Sequence, residues 1–337
     1  MNGVATARAV VAIVVGVAVA AAVWLLARRR QETFGGAKKP AVGLFVHTWH
    51  DINPPRIRRV MGEGGYGAQG WHWWGRPAWA GGDVKKYTWT DPAMVEYHID
   101  NFIQLGVDFV FLDFTNGNHQ PNLDGAHALC AALQQRRAGP KVAFWIEKAG
   151  DAPLYATQFY QRYPGVMYVF KGKPLLLING FSDGWKPNGT VKPLPSGLDA
   201  FTVRWMWGLL GPGAGSMWTF KELSPPKPYV HGGANEQIGM AFASQGTYMT
   251  TPASRRCREG GKFFESQVAN VRKHRPQVVT ITGYNEWMAI NFGSGTQPQF
   301  VDLFGAECSH DIEPMTGGHG RTYFQQAQRV IAQLKGG

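Results

Sequence analysis

The sequence predicts an α/β chain of the (β/α)₈ barrel type, preceded by a single N-terminal transmembrane helix. Three observations carry that prediction. From residue 42 onward, short apolar runs alternate with helical stretches, the pattern of a parallel sheet with crossover helices. The chain has 337 residues, and the first 40 are unlike the rest. The remaining ~300 suit one barrel with insertions better than two ordinary domains. Finally, Ala9 to Ala27 carries no charge at all.

The N-terminal segment reads AVVAIVVGVAVAAAVWLLA, followed at once by Arg28-Arg29-Arg30. As a helix rising ~1.5 Å per residue it spans ~28 Å, close to a bilayer's hydrocarbon thickness. A cleaved signal peptide would have a shorter apolar run and a small-residue cleavage site. The long run and the arginines favour an uncleaved anchor over residues 1–30. The basic C-terminal flank predicts that the folded part stays on the cytoplasmic side. Residues 31–40, QETFGGAKKP, read as a linker, and 41–337 as the barrel.

The first expected strand is Val42 to Thr48, followed by a Gly- and Trp-rich insertion over about 51–90. Asp91 reads as an N-cap, Pro92 as the first helical residue and Gly106 as the terminator of a helix to Leu105. Val107 to Phe114 is apolar on both faces, as buried parallel strands are. A helix over Asn122 to Arg137, a strand Val142 to Glu147 and a helix Ala152 to Tyr163 follow. Further strands are expected at Pro174 to Asn179, Ala200 to Trp205, Ile238 to Ala243 and Val278 to Tyr284. Helices are expected at Gly260 to His274 and Arg321 to Leu334, and an eighth strand near Glu307 to Ile312.

Net charge is +11. Residues 1–39 contribute +5 of it, leaving +6 scattered over the folded part. A basic balance favours anionic surfaces or polymers, but no nucleic-acid motif accompanies it. The three cysteines, Cys130, Cys257 and Cys308, are isolated and form no CxxC pair. They do not suggest a disulfide-built fold and lean towards a reducing compartment.

In a barrel of this type, active-site residues sit at the C-terminal ends of strands. Here those ends hold His47 and Trp49, Asp113 and Asn116, Glu147, Asn179, Arg204 with Trp205, and Asn285-Glu286-Trp287. Carboxylates, amides and Trp recur. Trp offers an apolar platform for a pyranose face, and carboxylates and amides bind hydroxyls. An acid such as Asp113 or Glu147 at the end of an apolar strand is costly unless it is paired or faces a cleft.

The run Val278-Val279-Thr280-Ile281-Thr282-Gly283-Tyr284-Asn285-Glu286-Trp287, with Asp311-Ile312-Glu313-Pro314 downstream, resembles the superfamily of glycoside-hydrolase families 71 and 99. In that superfamily a strand of this type ends in a catalytic Glu, and an IEP-like element follows. Gly43 to Val46, Gly106 to Asp113 and Lys173 to Leu177 extend the resemblance over most of 42–335. It implies a barrel that hydrolyses glycosidic bonds of a glycan or polysaccharide. Glu286 would act as base, on the sugar's own 2-hydroxyl in family 99. One departure matters. The family's second carboxylate lies three residues after that Glu, where this chain has Ala289. The acid would then come from Asp113 or Glu147. Transglycosylation or glycan assembly, and a non-catalytic glycan-binding membrane protein, are the alternatives.

Glu313 is weighed as a substrate contact or a loop brace. Trp71-His72-Trp73-Trp74 through Trp79 is weighed as a lid or as a cluster pinning the insertion. His47, His50 and Asp51, and likewise His310, Asp311 and His319, lack metal-ligand spacing, so no metal and no cofactor are expected. Gly62-x-Gly64-x-x-Gly67 follows no strand and opens no helix, which excludes a dinucleotide fingerprint. Asn188-Gly189-Thr190 is a glycosylation sequon.

Overall fold

The computed structural model describes residues 39–50, 57–60, 70–209, 215–222, 227–247, 249–250, 255–292, 300–301 and 307–336. The expected membrane helix Ala9 to Ala27, nearly all of the linker and Gly62 to Gly67 lie outside these residues, as does part of the insertion. Among the described residues no helix is long and apolar enough to cross a membrane.

Seven parallel strands form a curled sheet: β1 (Ala41–Val46), β2 (Phe109–Phe114), β3 (Lys141–Ile146), β4 (Lys173–Asn179), β5 (Thr202–Met206), β6 (Ala234–Ala241) and β7 (Val278–Thr282). Their order is β5-β4-β3-β2-β1-β7-β6, so the first and last of the sequence pair in the middle. Ala41 stands opposite Val278, and Gly43 opposite Phe109. β2 and β7 are buried along their whole length on both faces, which explains why β2 is apolar up to Asp113 and β7 carries no charge. A side chain at Gly43 would lie 2.3 Å from the Phe109 ring, so that ring fills the interior there.

The expected strand at Glu307 to Ile312 is not formed; that stretch is a turn and loop. The gap between β5 and β6 is filled instead by Met217 to Phe220. Trp218 bridges Met206 in parallel. On its other side, Gln237 exchanges two hydrogen bonds with Thr219, its Oε1 accepting from Thr219 N at 2.9 Å and its Nε2 donating to Thr219 O at 2.7 Å. A side chain therefore completes a ladder that backbone alone does not, and the sheet curls towards closure. Residues 208–216 are rich in Gly, so nothing periodic announced a strand after them.

Helix α1 (Pro92–Leu105) is capped as its sequence requires. Asp91 Oδ1 accepts from Ala93 N at 2.9 Å, and Gly106 ends it at φ 74°. Helices α2 (Gln120–Arg136), α3 (Lys262–His274) and α4 (Thr322–Leu334) lie within about two residues of expectation. The last buries Tyr323, Phe324, Ala327, Val330, Ile331 and Leu334, one stripe at helical spacing. The segment after β3 is helical over Ala152–Tyr155 and widens to a π-turn over Ala156–Tyr160, short of the expected Tyr163.

A second, mostly antiparallel sheet caps the C-terminal end of β7. In it Gly70–Trp73 pairs with Met288–Asn291, placing Trp73 opposite Met288 and His72 opposite Ala289. Part of the insertion is thus pinned over the mouth of the barrel. Cys257 and Cys308, isolated in sequence, form a disulfide, and only Cys130 is a free, buried thiol among the described residues. The isolated, odd-numbered cysteines gave no sign of this bond. It removes the support they lent to a reducing compartment, since such bonds persist under oxidising conditions.

Candidate active site

The C-terminal strand ends surround a cavity of about 510 Å³. His47 and Trp49 reach it from β1, Asp113 and Asn116 from β2, Glu147 from β3, Asn179 from β4, and Glu286 from the loop after β7. These seven expected site residues converge because parallel strands all end on one rim. Its aromatic wall is continuous. Trp71 packs on Trp49 (5.3 Å between ring centroids), Phe45 on Trp145 (5.2 Å), Trp145 on Phe220 (5.0 Å), Phe220 on Trp207 (5.3 Å) and Trp207 on Phe181 (5.0 Å). Of the Trp71 to Trp79 run, Trp71 alone lines the cavity, and Trp73 and Trp74 are buried supports.

Each acid has a distinct setting. Asp113 Oδ1 accepts from Thr115 N (3.0 Å) and Oγ1 (2.8 Å), and its Oδ2 faces His47 Nε2 at 3.4 Å. Glu147 is more open and contacts Lys148 Nζ at 3.0 Å. Glu286 Oε2 lies 2.7 Å from His310 Nε2, although that approach is off the line of a hydrogen bond. Burial first, with His50 and Lys221 adding to it, holds the His47 pKa well below the usual imidazole value, so His47 is neutral. Ala289, at the position where the resemblance places a second carboxylate, lines this cavity.

The loop carrying Glu286 is held from behind. Asp311 Oδ1 accepts from Glu286 N at 2.8 Å. Its Oδ2 accepts from Trp287 N (3.1 Å), Trp74 Nε1 (3.0 Å) and Ser309 Oγ (3.0 Å). His50 takes a hydrogen bond from Trp89 Nε1 on Nδ1, leaving Nε2–H to donate to Glu286 O at 3.2 Å. Trp287 adopts φ 51°, a conformation that non-glycine residues rarely take. Its ring stacks on Trp74 at 4.5 Å, and its Nε1 donates to Glu313.

Five expected site residues do not line the cavity. Asn285 is turned back, its Oδ1 accepting from His47 N and its Nδ2 donating to His47 O, both at 2.9 Å. It shapes the site from behind. Trp287 is likewise a buried support and not a wall of the cavity. Glu313 is fully buried between Tyr87 and Trp287, a brace and not a substrate contact. Arg204 is paired with Glu236 (2.6 and 3.0 Å). Burial would raise the Glu236 pKa, but hydrogen bonds from Arg204, Lys171 and Trp218 outweigh it and hold it at about 2. Trp205, one residue on, points to the opposite face and donates to Lys192 O.

Sequence reasoning missed Lys221, Trp145, Trp207 and Phe220 as lining residues, and treated His310 only as a weak metal ligand. Trp145 alternates with Glu147 on β3, which is the one signal that pointed to it. Glu286, His310 and Asp311 bring ligand-type atoms within 4.8 Å of one another. Both Asp311 oxygens are already engaged by N–H and O–H donors, however, and Lys221 Nζ stands 3.4 Å from His310 Nδ1. That setting suits a hydrogen-bonded cluster better than a cation.

No protein-family model matches this chain, and no curated protein does. Solved structures do. One is the GH99 endo-α-mannosidase from Bacteroides thetaiotaomicron, 14% identical, with a TM-score of 0.52 over 87% of this chain and 97% of that one. The same enzyme in complex with bis-tris-propane gives 13% identity and a TM-score of 0.54 over the same shares. At such identity the likeness is one of fold. The chain therefore shares the curled α/β, TIM-barrel-like fold of the GH99 endo-α-mannosidases over most of both chains, the relationship suggested by its Asn-Glu-Trp strand end.

Proposed function

We propose that this protein is a glycoside hydrolase acting on a glycan or polysaccharide, anchored to a membrane through residues 9–27. The observation that carries the reading is the convergence of Glu286, Asp113 and Glu147 on one cavity walled by aromatic rings.

In this reading Glu286 is the base. Glu147 protonates the leaving oxygen, because the oxygens of Asp113 are engaged by Thr115 and His47. Asp113 and His47 then bind hydroxyls. Two carboxyl groups sharing one cavity divide acid and base roles between them.

The test is a polysaccharide and aryl-glycoside digestion screen on the chain without its first 36 residues. Glu286→Gln keeps the shape and removes the base, so turnover falls by at least ~100-fold while glycan binding survives. Glu147→Gln slows substrates with poor leaving groups far more than aryl glycosides, whose leaving group needs no proton. If Asp113→Asn shows that pattern instead, the acid is Asp113. Binding without turnover on any glycoside favours a non-catalytic glycan-binding protein, the reading that Ala289 supports.

A further inference from the structure

Lys221, His310 and Glu286 come from three separate stretches of chain and meet in a row at the edge of the cavity. Lys221 Nζ is 3.4 Å from His310 Nδ1, and His310 Nε2 is 2.7 Å from Glu286 Oε2. We infer that His310 is a positioning residue for Glu286, with Lys221 setting the imidazole tautomer so that an N–H faces the Glu286 carboxylate. The inference rests on Glu286 being the reacting carboxylate.

The tautomer follows from donor and acceptor counting. An ammonium group donates and has no lone pair, so the ring nitrogen facing Lys221 must accept. A neutral imidazole carries its one proton on the other nitrogen, Nε2, which faces Glu286. Burial first, then Lys221, pushes the His310 pKa well below the usual value, so the neutral ring is the form to consider. The Nε2 approach is off-line at rest, so the role requires the Glu286 carboxylate to turn towards it. One oxygen held in this way restricts rotation of the carboxylate about its last bond.

The surroundings leave the imidazole little room. Gly283 has φ 96°, and a side chain there would lie 2.0 Å from His310 Cδ2. The end of β7 and the His310 loop are therefore in direct contact. Cys308, two residues before His310, is bonded to Cys257, and Arg258 Nη2 donates to Asp311 O. The titratable and charged groups that face this row are Asp311, with Oδ1 3.7 Å from His310 Nε2, His47, Arg258, and His50 on the Glu286 carbonyl. Asp113 lies beyond His47.

Two measurements test this, one of them independent of activity. ¹⁵N-histidine NMR of the protein, with the His310 signal assigned by its loss in His310→Gln, should show a neutral Nε2–H ring from pH 5 to 8. Lys221→Met should shift that ring towards the other tautomer. An Nδ1–H ring, or a ring that protonates near pH 6.5, overturns the inference. On a cleaved glycoside, His310→Ala should lower kcat by roughly 10–100-fold with KM little changed, and move the acidic limb of kcat/KM upward by about one pH unit. His310→Gln, whose amide can still donate, should recover most of both. Equal losses in the two variants with an unmoved limb would make His310 merely structural and overturn the role. If wild type cleaves no glycoside, the hydrolase reading and the positioning role fall together, and the NMR result decides the tautomer.

Discussion

Replacing Glu313 with glutamine should flatten the pH dependence of stability. Glu313 is 0% exposed. Its Oε2 accepts from Tyr87 Oη at 2.6 Å and from Trp287 Nε1, while Oε1 has no hydrogen-bond partner among the described residues and lies 4.0 Å from His98 Nδ1. Burial raises its pKa from the ordinary 4.5 to about 8, against the pull of those two donors, and Asp311 adds to the rise. A raised folded pKa means that the native protein keeps a proton which the unfolded chain releases. The stabilisation is complete below about pH 4.5 and is lost as pH rises through about 8. Each pH unit inside that window costs about 1.4 kcal/mol, roughly 4–5 kcal/mol over the whole of it. Glutamine can place its amide oxygen where Oε2 stands, keeps both donors satisfied and does not titrate. Urea unfolding of both proteins at half-unit steps from pH 5 to 8.5 measures the difference, which should grow in favour of the glutamine variant by about 1 kcal/mol per unit. Parallel stability curves would refute the assignment of a buried, protonated Glu313.

Three other outcomes are expected. Asn285→Ala leaves the His47 backbone groups without partners, so unfolding stability should fall by about 2–4 kcal/mol; a change in KM with unaltered stability would return Asn285 to the substrate. Breaking the Cys257–Cys308 bond opens a 51-residue loop in the unfolded chain, worth about 4 kcal/mol in the chain-entropy account. It also frees the segment carrying His310 and Asp311, so turnover should drop with stability, and full reduction confirmed by mass with neither affected would contradict this. Deletion of residues 1–36 should yield a soluble, folded protein, since no strand or helix of the described fold lies there; aggregation of that chain while the full one behaves in detergent would refute the anchor-and-linker reading.

The order of strands and helices was legible because each is a local signal. Apolar runs mark β1 to β4, and Asp91, Pro92 and Gly106 mark the ends of α1 through hydrogen bonding within one turn. The convergence of His47, Asp113, Glu147, Asn179 and Glu286 was also legible, because parallel strands necessarily end on one rim. Facing was another matter. Arg204 and Trp205 stand at a strand end, yet one enters an ion cluster with Glu236 and the other packs outward. A strand buried on both faces has no polar alternation to say which parity looks inward.

The sequence by itself determined a parallel α/β chain and three strand-end acids sharing one rim, since those follow from periodicity and chain direction. Only the tertiary structure decided which polar residues serve the cavity and which brace it. Asn285 and Glu313 sit beside and downstream of Glu286, and their hydrogen bonds run to His47 and Tyr87, 198 to 238 residues away; Trp287 is held by Glu313 and stacks on Trp74 of the insertion. Lys221 and His310 come from stretches without periodicity; His310 meets Glu286 through loop packing against Gly283, and Lys221 reaches His310 from the far side of the ring. Partners so far apart are chosen by space, and no window of sequence holds both ends of such a contact.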